Sequence, residues 1–134
     1  MSQEDITEDS GWQFSFSRPR SVRLRSTKDF RHCYETGERA GDTHLLLIAA
    51  AGVGRCVRAG VSVSKKHGNA VRRNRRKRLL REAFRLSRHR LPALDLILIP
   101  RQNVQSTLGD YQASLVSLGA QLEKRIHREQ RPDN

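Results

Sequence analysis

Between Lys65 and Arg88 the chain reads KKHGNAVRRNRRKRLLREAFRLSR, where 12 of 24 positions are basic, His67 included, and Glu82 is the only acid. Such a segment has few ways to fold. Past Gly68 it meets neither Gly nor Pro until Pro92, and Asn69 is a good N-cap, so the pattern predicts one helix over most of this length. At 100° per residue, Leu79, Leu80, Ala83, Phe84 and Leu86 gather into an apolar stripe. Asn74, Lys77, Arg78, Arg81, Arg85 and Arg88 recur at spacings of three and four on the opposite side. In the first two turns Arg72, Arg73 and Arg76 stand where that stripe would continue. These turns are therefore expected to overhang the core and to be open to a polyanion from most sides. A merely solvated helix mixes its charges and gains from ion pairs one turn apart, whereas this one stacks charges that repel.

The rest of the chain agrees with a polyanionic partner. Lys and Arg number 26 against 14 Asp and Glu, a net charge of +12 over 134 residues. That balance puts nucleic acid first among partners and an anionic membrane surface second. The length allows one domain with a modest core. With no run of 18 apolar residues, and acids where a secretory signal needs a basic start, a cytoplasmic protein without a membrane span is expected. Cys33 and Cys56 lack CxxC or zinc-ligand spacing and are assigned no metal or redox role. Residues 1–17 hold Glu4, Asp5, Glu8 and Asp9 without a base, leaving +16 on the remainder. This segment is expected to be a disordered acidic tail, residues 18–128 the folded domain, and residues 129–134 a short C-terminal tail.

Within the domain the order reads α, β, β, α, β, α. Ser26 to Gly37 forms a short helix, with Ser26 and Asp29 as a capping box and Gly37 as a left-handed stop. Phe30 and Tyr34 share one of its faces. Thr43–Ala51 and Val57–Ser64 read as strands joined as an antiparallel hairpin across a Gly-rich connection. Leu94–Pro100 is an interior strand, and Asp110–His127 an amphipathic closing helix. The long basic helix joins the second and third strands as a βαβ unit, so the expected architecture is a two-layer α+β sandwich.

A protein nuclease needs clustered carboxylates for divalent ions or histidines placed as acid and base. Neither pattern is present, so no catalytic residue and no metal ligand is assigned. Binding chemistry is well supplied. Arg73, Arg75, Lys77, Arg78 and Arg81 can neutralise phosphates, the arginines bidentately. Asn74 offers an amide for a geometric contact amid the bases. Lys65, Lys66 and Asn69 precede the helix where free N–H groups favour a phosphate. A DNA-binding basic region would continue into a leucine zipper, which Pro92 prevents. A ribosomal or other structural RNA-binding protein shares the charge and the fold, and the residues alone leave that alternative open.

GVSVSKKHGNAVRRNRRKRLLREAFR, Gly60 to Arg85, resembles the signature of the protein subunit of bacterial ribonuclease P, an SKK turn leading into G-x-AV-x-RNR-x-KR-x-x-RE. Ser26–Gly37 is similar to that family's first helix, and LPALDLILIPR to its Leu-Pro…Asp…Arg strand. The resemblance covers roughly residues 20–128. It implies a ribonucleoprotein that removes the 5′ leader from precursor tRNA, with Mg2+ and the chemistry in a catalytic RNA and none bound by the protein alone. The catalytic RNA and precursor tRNA are the implied partners, with no protein oligomer. It further implies a left-handed βαβ crossover, against the usual rule, and a fold like the second domain of small-subunit ribosomal protein five. In that family the positions matching Phe30 and Tyr34 line the cleft that receives the leader. Arg76 departs from the pattern, standing where an apolar residue is common.

Overall fold

The computed structural model describes residue 24, residues 26–52 and residues 56–130; the acidic segment 1–17 and residues 131–134 lie outside it. Helix α1 (Thr27–Thr36) is followed by strands β1 (Glu38–Gly41), β2 (Leu45–Ala51) and β3 (Arg58–Val61). A 3₁₀ turn at Lys65–His67 then leads into α2 (Ala70–Ser87), β4 (Leu94–Pro100) and α3 (Leu108–Gln130). The architecture is a mixed α+β sandwich, one strand richer than expected. Its sheet runs β1-β2-β4-β3, antiparallel except for the β3–β4 pair.

The hairpin expected between residues 43–51 and 57–64 does not form. β4 lies between the two, pairing Leu45–Ala51 on one side and Arg58–Val61 on the other. The reason is in LDLILIP. Leu94, Leu96 and Leu98 enter one core while Ile97 enters another, and a strand apolar on both faces belongs in the middle of a sheet. The hairpin partner of β2 is instead β1, the four residues ERAG. Asp42 makes that turn by accepting from the backbone N–H groups of His44 and Leu45 at 2.9 and 3.0 Å, an Asx-type contact. Burial works against the charge on Asp42, yet these bonds and one from Ser114 hold its carboxyl below the usual carboxylate value.

The helices divide between the two faces. α2 and α3 cover one, over Leu47, Ala49, Leu96 and Leu98, with Phe84, Tyr111 and Leu115 buried between. α1 covers part of the other, over Ile48, Ala50 and Ile97, so the expected two layers become helix, sheet, helix where α1 lies. Ser26 caps α1 by accepting from Asp29 N–H at 3.0 Å. Gly37 is not the left-handed stop expected of it: its φ is −80°. A Cβ there would stand 2.5 Å from the Cys33 carbonyl oxygen and 2.9 Å from that of Ala49, so glycine lets the chain pass close to β2. Arg58 fastens the layers. Its Nε and Nη2 donate to the two carboxylate oxygens of buried Asp95 at 2.8 and 2.6 Å, and its Nη1 lies 3.5 Å from Asp29 of α1. At the far end Thr107 and Asp110 cap α3 reciprocally. That helix continues to Gln130, through two residues expected in the C-terminal tail.

Candidate nucleic-acid interface

Helix α2 begins where Asn69 accepts from Arg72 N–H at 3.0 Å. Leu80, Ala83, Phe84 and Ser87 bury its inner face, while Leu86, expected in the apolar stripe, turns outward and is exposed. Asn74, Arg75 and Arg78 are exposed, and Arg73, Lys77 and Arg81 run half-buried along one flank at successive turns. The acid among them, Glu82, is taken by Arg85 through bonds of 3.0 and 2.5 Å. The first turns are less open than expected, and Arg76 is the reason. Its guanidinium donates to the carbonyls of Arg101 and Val104 at 2.8 and 3.2 Å, so it pins the β4–α3 loop to the helix. Arg73 holds its Nε out of solvent with no acceptor among the described residues. An arginine N–H withheld from water and from protein is costly unless a ligand oxygen meets it.

The Lys65–His67 turn is anchored from beneath. Ser64 N–H donates to His67 Nδ1 at 3.0 Å, which leaves the proton on Nε2 to donate to the Pro100 carbonyl at 2.8 Å. Buried His67 thus fixes the turn to the end of β4, and Lys65 and Lys66 stand exposed above it. Beside them, on the face of the sheet that α1 occupies, opens a cleft of about 300 Å³. Its floor is the paired residues Leu46 and Ile99, and its walls include Ser62, Lys66 and Arg101.

The two aromatic residues of α1 part company at this cleft. Tyr34 is half-buried and donates its hydroxyl at 3.1 Å to Oγ of Ser62, a residue that lines the cleft. Phe30 is 3% exposed. Its ring lies over Gly60, where any Cβ would collide with it, and Leu24 joins the same cluster. Phe30 therefore serves the core, and this conformation offers no face of it to a base. Of the two aromatics expected at the leader cleft, only Tyr34 is left partly exposed.

A basic turn thus borders the cleft and leads into a basic helix. The sequence profile of the Ribonuclease P family matches residues 18–125. The chain belongs to that family. The ribonuclease P protein component of Desulfovibrio desulfuricans is 41% identical over 69% of this chain and 74% of its own, and that of Brevibacillus brevis 42% over 72% and 79%. Among solved structures, the Thermotoga maritima RNase P protein superposes with a TM-score of 0.67 at 27% identity, over 74% of this chain and 96% of its own. The Staphylococcus aureus protein gives 0.64 at 33%, over 72% and 91%. The chain is accordingly the protein component of a ribonucleoprotein that acts in tRNA 5′ processing, and the ribosomal alternative is closed. Among the described residues no group of three or more His, Cys, Asp or Glu is placed to hold a metal ion, and no helix is long and apolar enough to cross a membrane. Sequence reasoning missed Ser62 and Arg101, which wall the cleft, because only the fold brings β3, β4 and α1 together. His67 was visible as a residue, but not as the anchor of the turn.

Proposed function

We propose that this ribonuclease P protein holds the 5′ leader of precursor tRNA in the cleft beside α1, while its basic helix grips the catalytic RNA. One observation carries the reading: an open, apolar sheet floor is walled by Ser62, whose hydroxyl takes a hydrogen bond from Tyr34 of α1, and by Lys66 and Arg101. Single-stranded RNA is held by an aromatic face beside a basic groove, at about 1–3 kcal/mol per stacked base. Arg73, Asn74, Arg75, Lys77, Arg78 and Arg81 supply phosphate and amide contacts on α2. Lys65, Lys66 and Asn69 do so at its N-terminus. The chemical step and its Mg2+ belong to the RNA, and the protein works in the cytoplasm without forming an oligomer of its own.

The test is binding of precursor and mature tRNA to the holoenzyme reconstituted with Tyr34→Ala. Affinity for leader-bearing precursor falls by about five- to a hundredfold, while affinities for mature tRNA and for the catalytic RNA stay nearly unchanged. Equal losses for precursor and mature tRNA would return Tyr34 to a packing role.

A further inference from the structure

The face of α2 turned away from Arg73, Lys77 and Arg81 carries a stripe of its own. Arg72, Arg75, Arg76 and Leu79 recur at i, i+3, i+4 and i+7, and together they wall a second cleft, of about 230 Å³, against the loop between β4 and α3. The opposite wall is Asn103 to Ser106, with the buried ring of Tyr111 behind. Three arginines share this wall, and among the described residues no carboxylate lines it. Like charges one turn apart destabilise a helix, so the stripe is costly unless an anion sits in it.

The cleft is also built in advance of any ligand. Arg76 ties the loop to α2 through the carbonyls of Arg101 and Val104. From the other side His44 Nδ1 bonds Ser106 Oγ at 2.7 Å. Asn103 is held at φ 57°, in the left-handed region. A tied loop thus presents the side chains of Asn103, Gln105 and Ser106 opposite a row of charge in which Arg76 is held in place.

Size and chemistry select the occupant. The volume is several times that of a water, ~30 Å³, and falls below the ~300–1,000 Å³ of drug-sized sites. It suits one residue of a polymer. Guanidinium groups on one wall match a phosphodiester. Amide side chains on the other carry both donors and acceptors, as the edge of an unpaired base requires, and Leu79 and Val104 offer apolar contact to its plane.

We propose that this cleft holds a single unpaired nucleotide of the catalytic RNA, with its phosphate on Arg72 and Arg75 and its base against Asn103, Gln105 and Leu79. The inference rests on the proposed function, which supplies the RNA, and adds to it a base-reading site between α2 and residues 103–106, distinct from the cleft lined by Ser62, Lys66 and Arg101. Arg76 is a positioning residue, because its bonds go to the loop.

The experiment uses the full chain and the catalytic RNA. Arg72→Ala weakens the complex on the order of tenfold and lowers the slope of log affinity against log salt by about 0.7–0.9. Gln105→Ala weakens it about three- to tenfold and leaves the slope unchanged, since an amide displaces no counterion. In a Cys56→Ser background a photo-crosslinker on Gln105→Cys joins one unpaired nucleotide. Unchanged affinity in both alanine variants, or crosslinks spread along helical RNA, would overturn the site and leave only general attraction. Failure of the unaltered protein to bind the catalytic RNA would overturn the proposed function as well. Leader discrimination by Tyr34→Ala reads the other cleft, so a failure of the leader reading and a failure of this site are distinguishable.

Discussion

Phe30 and Tyr34, one turn apart on the same face of α1, show how little sequence spacing says about which end of a face is wet. Both positions read alike in the sequence. What separates them is Gly60 on β3, whose missing side chain admits the Phe30 ring, and Ser62 two residues on, which offers Tyr34 a partner. Phe30→Ala is therefore expected to lower stability by about 3–5 kcal/mol, as for a buried aromatic, and Tyr34→Ala by under about 1.5; urea unfolding of the two variants checks this. Gly60→Ala belongs with Phe30, at ~1–3 kcal/mol, because the new methyl overfills the site. The cysteines divide in the same way. Burial, with Asp95 nearby, pushes the Cys33 thiol up from 9.0 to about 12, whereas Cys56 is exposed. At pH 8 a maleimide reagent should label Cys56 promptly and Cys33 only on unfolding. Between pH 9 and 12 the unfolded chain gives up the Cys33 proton and the folded chain keeps it, so its contribution to stability is lost as pH rises through that window. Rapid labelling of both thiols in the folded protein would contradict the placement of Cys33.

At the level of elements, patterns local in sequence were legible and partnerships were not. LDLILIP read as an interior strand and is one, residue for residue. The Ser26 and Asn69 caps are where short polar side chains before an apolar period place them. The β2–β3 hairpin failed because a short Gly-containing connection looks the same whether the next strand lies beside the first or one place further on. β1 escaped notice because ERAG has too little apolar content to announce itself, and it exists because Asp42 turns the chain back onto β2. Arg76 is the most instructive departure. In the sequence it reads as a charge that loosens the helix from its core; in the fold it holds the loop to that helix. Arg76→Leu is thus expected to cost about 1.5–3 kcal/mol through the lost charged hydrogen bonds. It should also speed amide exchange across residues 102–106 while leaving β2 and β4 protected. Uniform exchange at all these sites would mean that Arg76 supports the whole fold.

Taken whole, the molecule is a small core that carries more positive charge than folding alone favours. Residues 18–134 hold +16, and self-repulsion on that scale opposes compaction. Two mechanisms can relieve it, and they are separable. Screening depends on ionic strength and is indifferent to the anion's shape. Binding depends on geometry: the two clefts set arginine or lysine beside fixed polar partners, an arrangement that favours oxyanions able to accept several bonds at once. An anion at a hundredfold excess over its dissociation constant adds about 2.7 kcal/mol of stability, which for a domain of roughly 100 residues is on the order of 10–20 °C in Tm. Sulfate or phosphate should therefore raise Tm well above chloride at equal ionic strength, and Arg72→Ala combined with Lys66→Ala should remove most of the difference while leaving the chloride curve in place. Sulfate also strengthens apolar burial in any protein, which is why the double variant decides the matter: if it keeps the full sulfate increment, the gain is general and the clefts bind no oxyanion.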